Sequence, residues 1–341
     1  MRQSRQWWLL LAILAVSPPR RLAAQLNLGF HHTGLSIGNS AEWTGVRINF
    51  RDRDVRRVTG VNITLWTPPS HAEYGAELVQ GVAVGVAPVA RKLHGISVGI
   101  GGVVAGDEAV GIQIGGLGAV SNGDLKGFSL GTLGAVANRD AKGIVIGGLG
   151  AVANRDASGF FFGGLGAVAN RDAKGIFIGG LGAVANGDFT GIGIGGLGTV
   201  ANGRAKGGFA SVVAVVANGG LTGVSVSGLA TVANGQLNGI SLSGLVAVGD
   251  ERVAGLHVAG LAIVSGEEIR GAAFTLGRTD TRDLHGVVTG AYNRVRGEQR
   301  GLSIGIYNKA RALHGVQIGV LNHAGNARGI FRWMPIVNIH K

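Results

Sequence analysis

The chain has 341 residues, of which 64 are glycine and none is cysteine, with 46% hydrophobic residues and a formal net charge of +12. Glycine lies far above its ordinary usage of roughly 7%, yet no Gly-X-Y triplet recurs, which excludes collagen. Abundant apolar residues with sparse charge exclude a disordered chain, and the lack of cysteine excludes both a disulfide framework and a lipoprotein acceptor thiol.

Residues 1–24 have the three-part layout of a secretory signal peptide: Arg2 and Arg5 precede the apolar run Trp7 to Val16, and Ala23-Ala24-Gln25 follows. Ten apolar residues fall short of the ~20 needed to cross a bilayer. Cleavage after Ala23 or Ala24 is therefore expected, and with it export to the cell surface, outer membrane or periplasm. Residues 25–80 read as an N-terminal β capping region. Its cations, from Arg47 to Arg57, alternate with Asp52 and Asp54 and fit a solvated strand or loop face.

From residue 81 to 329 the chain is a repeat array. Glycine recurs every sixteen residues from Gly95 through Gly111 and onward to Gly271, with slightly shorter spacing at Gly286, Gly301 and Gly315. A fixed short period means that each unit buries its apolar side only against its neighbours, so one elongated domain is expected. Between Gly95 and Val248 eight Lys/Arg stand against seven Asp/Glu, so the array is nearly neutral. The positive excess lies at the ends, which argues against a nucleic-acid partner. Residues 330–341 form a short C-terminal end.

Within a unit such as 143–158, Ile144 and Ile146 fall on one side of a strand. Uniform columns at these places (Ile112, Phe128, Ile144, Phe160; Ile114, Leu130, Ile146, Phe162) read as the inward side, and the variable residue between them reads as outward. A second strand would turn Leu149 and Val152 inward, and a third column, Leu125, Ala141, Ala157 and Ala173, would point inward from the turn. On this assignment Ile146→Asp is the damaging change and Val145→Ser the silent one.

Two or three glycines in every ten residues exclude a helix, since each costs about 1 kcal/mol relative to alanine. The fold expected is an all-β solenoid of about sixteen coils. Identical turns after every unit favour it over an antiparallel meander, whose alternate turns lie at opposite ends. The Asn122, Asn138 and Asn154 column adds amides that can bond along the axis. An outer-membrane β-barrel needs a polar face and aromatic girdles, whereas both strand parities here are apolar or glycine.

The units Gly301-Leu-Ser-Ile-Gly-Ile-Tyr-Asn308 and Gly315-Val-Gln-Ile-Gly-Val-Leu-Asn322, with Gly286 to Asn293 as a degenerate copy, resemble the Gly-x-Gln-Ile-Gly-x-x-Asn units of bacterial exported surface-repeat proteins of the leptospiral type. Leu35-Ser-Ile-Gly38, Trp43 to Phe50 and Gly60 to Trp66 resemble the beginning of such chains. The resemblance implies an exported, surface-associated protein of undefined biochemical role. The central Gly-Gly-Leu-Gly-Ala-Val-Ala-Asn units depart from that pattern.

Chemistry-bearing patterns are weak. Gly193 to Gly198 matches GxGxxG, but no helix follows and no acidic residue lies about twenty positions on, so no dinucleotide is expected. Calcium-binding repeats need aspartate where Val152, Val168 and Val184 stand. Asp140, Asp156 and Asp172 stack, each after an arginine, and fit a charge ladder on an exposed turn. No base, nucleophile or metal ligand accompanies them, so no catalytic residue, cofactor or metal site is expected and a polysaccharide-acting enzyme is the weaker alternative. His94, His285 and His314 share a Leu-His-Gly slot, with the last two about 10 Å apart and too distant for one ion. His31 and His32 should point to opposite faces of an extended segment.

The expected role is structural or interactive, through self-association or an envelope-protein partner, with peripheral membrane association; the barrel is the alternative. The candidate contact stripe is Phe161, Phe177 and Phe209, flanked in the variable column by Gln113, Ser129, Ser225 and Ser241 and expected to be exposed.

Overall fold

Each sixteen-residue unit makes one coil, because its glycines let the chain turn twice. In the coil that begins at Ala141, a long strand, Ala141–Gly147, turns at Gly148-Leu149 into a short strand, Gly150–Ala153, and a polar turn at residues 154–156 leads back. The computed structural model describes residues 25–68 and 74–340; the expected signal peptide lies outside the described residues. The protein is a β-solenoid of about sixteen turns with a sixteen-residue period. At about 4.8 Å per rung this is a rod of roughly 75 Å.

Consecutive coils pair parallel and in register: Gly143 lies opposite Gly127 on one side and Gly159 on the other, and Ala151 lies between Ala135 and Ala167. Neither an antiparallel meander nor an up-and-down barrel has such neighbours. The ladder also runs through the segment assigned to a capping region, where Gly34, Gly45, Gly60 and Gly81 pair in sequence. Antiparallel strands close both ends: Leu26–Phe30 against Thr33–Ile37, and Trp333–His340 against the segment 315–323. They cover the last parallel rungs, whose unpaired edges would otherwise template further chains.

The period-setting glycine cannot be replaced. Gly159 has φ +124°, and a Cβ there would sit 2.1 Å from the carbonyl oxygen of Gly143. Adjacent coils approach at this column so closely that only a hydrogen fits.

The inward and outward sides of the strands are the reverse of those expected. Val145, Phe161, Phe177 and Phe209 are buried in the core, while Ile144, Ile176 and Ile192 are exposed. On the short strand Ala151 and Ala153 face inward and Val152 is half-buried, while Leu149 in the turn before it is 51% exposed. The third column faces inward as expected: Leu125, Ala141, Ala157 and Ala173 are all buried. The coil is thin, so the residues inside it must compensate one another in volume. Leu125 accompanies Ser129, Ala173 accompanies Phe177, Phe189 accompanies Gly193 and Leu221 accompanies Ser225. A Cβ on Gly193 would lie 2.9 Å from the Phe189 ring and 2.7 Å from Cγ2 of Thr199. The variable column varies because it is the filler.

Candidate functional site

Phe161, Phe177 and Phe209 form no exposed stripe; their rings are 0%, 0% and 3% exposed. The Phe161 and Phe177 rings stack in parallel at 4.7 Å, Phe189 meets Phe177 edge-on at 5.3 Å, and Phe209 meets Phe189 edge-on at 5.1 Å. These four rings form a continuous internal stack that rigidifies the middle of the rod.

The polar turns are tied along the axis. Asn154 Nδ2 donates to Asn138 Oδ1 at 2.7 Å, and Asn170 Nδ2 to Asn154 Oδ1 at 2.8 Å, in a ladder that continues to Asn234. Beside it the backbone N–H of each Asp donates to the carboxylate of the Asp one coil earlier, as from Asp172 to Asp156 at 3.2 Å. The series ends where Arg204 donates to Asp188 from both its backbone and its guanidinium, holding that carboxyl below its usual range. The stacked carboxylates are structural acceptors.

The Leu-His-Gly histidines are each held by a glutamate. His94 Nε2 lies 3.2 Å from Glu108, His285 Nδ1 2.7 Å from Glu268, and His314 Nδ1 2.8 Å from Glu298. Among the described residues no group of three or more His, Asp or Glu is arranged to hold a metal. His31 and His32 do not lie on an extended segment; they form the turn between the first two strands, with φ 46° and 60°. Nor can the Gly193–Gly198 corner cradle a phosphate, because the N–H groups of Gly196, Leu197 and Gly198 are spent on carbonyls of the preceding coil.

Among the described residues, His257 is the one imidazole buried in the core. Its Nδ1 lies 2.7 Å from Ser241 Oγ and its Nε2 has no partner. Burial holds it below the ordinary histidine range, against a smaller upward pull from the Ala254 backbone. Because the folded value is the lower one, the unfolded chain takes up the proton first as pH falls. The stability conferred by the neutral ring is complete above about 6.5 and is lost progressively below it. Melting curves between pH 7.5 and 5.5 should therefore fall more steeply for the parent than for His257→Ser, by at most about 1.4 kcal/mol per pH unit. Parallel pH dependences would contradict this role for His257.

The most distinctive surface is the one the strand reversal creates. Ile144, Ile146 and Leu149 all face outward around the Gly148-Leu149 corner, with Val152 beside them, and the arrangement recurs coil after coil. Leu117, Leu133, Leu149, Leu165, Leu181 and Leu197 are each at least half exposed, and Leu229, Leu245 and Leu261 extend the line. At rung spacing this leucine line alone is about 45 Å long, well beyond the scattered apolar groups of an ordinary surface. The opposite edge carries the Asn, Arg and Asp turns. Between the two, Lys142, Lys174 and Lys206 stand exposed at the start of the long strands, and no ion pair among the described residues involves them. The sequence showed the Ile and Leu columns plainly, but their exposure depends on which strand parity faces inward. A comparison with protein-family models finds no match, and comparisons with curated proteins and with solved structures find none either.

Proposed function

We propose that this chain is an exported, envelope-associated solenoid with a structural or interaction role, resting on a membrane surface by its apolar edge. The unbroken outward line of Leu, Ile and Val at the Gly-Leu corner carries the reading. A bilayer interface suits it better than a second copy does, because apart from Thr132 the Gly-Leu corner carries no exposed polar side chain that would fix a register, and acyl chains require none. At the corner the N–H groups of Gly148, Leu149 and Gly150 donate to carbonyls of the preceding coil, so the edge brings no free backbone donors from these residues into an apolar layer. The N-terminal charge and hydropathy layout supports export, as does the resemblance of the Gly301 and Gly315 units to surface-repeat proteins. No catalytic step belongs to this reading.

Vesicle flotation tests it. The chain beginning at Gln25 is expected to float with phosphatidylcholine vesicles, and replacing Leu149, Leu165 and Leu181 by Gln should weaken partitioning strongly. Each half-exposed leucine withdrawn from water contributes roughly 1 kcal/mol, so the three together correspond to roughly a hundredfold. The melting temperature should hardly move, because these side chains lie outside the core. A parent that stays in the protein-only fraction, or that forms a dimer indifferent to lipid, would overturn the reading.

A further inference from the structure

The outward columns change character at the C-terminal end. Val264 in the short-strand column is followed by Asp280 and then Arg294 in register. Buried amides align the coils beyond: Asn293 Nδ2 donates to Asn308 Oδ1 and Asn308 Nδ2 to Asn322 Oδ1, both at 2.8 Å. The residues that follow these amides, Arg294, Lys309 and His323, therefore stand one above another. Arg296 and Arg311 occupy the neighbouring outward position, and Arg332 folds over from the short 3-10 turn at Gly329–Arg332. These six side chains line a cleft of about 580 Å³ that no carboxylate lines.

Only Arg296 is neutralised. Its Nε lies 3.1 Å from Asp280, and its Nη2 donates to the carbonyls of Ser265 and Gly266. Arg294, Lys309 and Arg311 take part in no ion pair among the described residues, and Arg332 is bound only to the Gly325 carbonyl, at 3.4 Å. His323 is held below the ordinary histidine range first by burial and then by Lys309 and Arg332. Its buried Nδ1 has no partner. Like charges stacked at about 4.8 Å repel unless an anion lies between them, and among the described residues no carboxylate lines the cleft between Arg294, Lys309 and Arg311.

We propose that this terminal cleft is a binding site for a phosphate-bearing anion, engaged by Arg294, Lys309, Arg311 and Arg332. Arginines in this arrangement offer paired N–H donors to phosphate oxygens, and the lysine adds a point charge. The same chemistry is presented by a phosphomonoester lipid headgroup and by free inorganic polyphosphate. The site does not rest on the apolar edge, because binding of a soluble phosphate needs no lipid.

The test uses the full chain, with tripolyphosphate and vesicles of phosphatidylcholine with and without phosphatidic acid as probes. Titration calorimetry should show tripolyphosphate binding that weakens at least tenfold between 50 and 200 mM salt. Changing Arg294, Lys309 and Arg311 together to Gln should remove at least tenfold in affinity at fixed salt, with an unchanged melting curve because all three are outward. The same change at Lys142, Lys174 and Lys206 should leave phosphate binding intact. Strong preference for phosphatidic acid vesicles over tripolyphosphate would assign the headgroup as the source, and the reverse would assign the free anion. The proposal is overturned if neither probe binds, if the body-lysine variant loses as much affinity, or if duplex DNA binds as tightly with the same dependence on the three cations. Loss of flotation on neutral vesicles with phosphate binding retained would reject the membrane reading alone.

Discussion

Replacing Phe177 by alanine is expected to cost about 3–5 kcal/mol, while Ile176→Ser, one residue away, costs less than about 1 kcal/mol. Phe177 is fully buried, stacked on Phe161 at 4.7 Å and met edge-on by Phe189 at 5.3 Å, so truncation opens a cavity in the middle of a ring stack. Its small partner in the coil, Ala173, cannot expand to fill the space. Ile176 is 38% exposed and loses only its contacts along the outer face. Thermal and denaturant unfolding of the two variants decides the matter. If Ile176→Ser is the more damaging change, the faces are those expected from the uniform columns and the core described above is wrong.

A second large effect is expected at the glycines that set the period. Gly159→Ala should cost more than about 4 kcal/mol or abolish folding, because it combines a disallowed φ with a backbone collision that no rotamer relieves. The added Cβ would meet the Gly143 carbonyl at 2.1 Å, forcing apart two coils that are paired along seven residues. Gly150→Ala is the matched control. Its nearest neighbour would be 3.8 Å away, and the chain itself carries alanine at the same place in Ala214, Ala230 and Ala262. That variant should melt within about 1 kcal/mol of the parent. Equal behaviour of the two would mean that the close approach of Gly159 to Gly143 does not hold the coils in register.

What the sequence by itself determined is everything that depends on position along one dimension. The sixteen-residue period and the identity of every turn led to parallel coils in register, and the Asn column led to an amide ladder, because stacked identical units can satisfy backbone and side chains only by repeating the same contact. The inward Leu125 and Ala141 column was legible for the same reason. Which strand parity faces the core was not, since alternation states that neighbours point to opposite sides without saying which side is inside. Uniform Ile and Leu columns suggested a core, yet the interior is filled by Ala, Ser, Phe and Gly in compensating sets, so tightly that a Cβ on Gly193 would meet both the Phe189 ring and Thr199. That signal was present in pairs such as Phe189 with Gly193, and it is read only when residues four apart are weighed together.

The apolar edge was thus visible as composition and invisible as a surface. The cationic cleft needed the tertiary structure even more, because Gly286, Gly301 and Gly315 are spaced by fifteen and then fourteen residues, and a shortened coil shifts every register beyond it. The excess charge after Arg270 could be counted from the sequence. Only the stacking of the last coils brings Arg294, Lys309 and Arg311 onto one wall and folds Arg332 over it, since the distance between rungs, and not the separation along the chain, sets which charges meet.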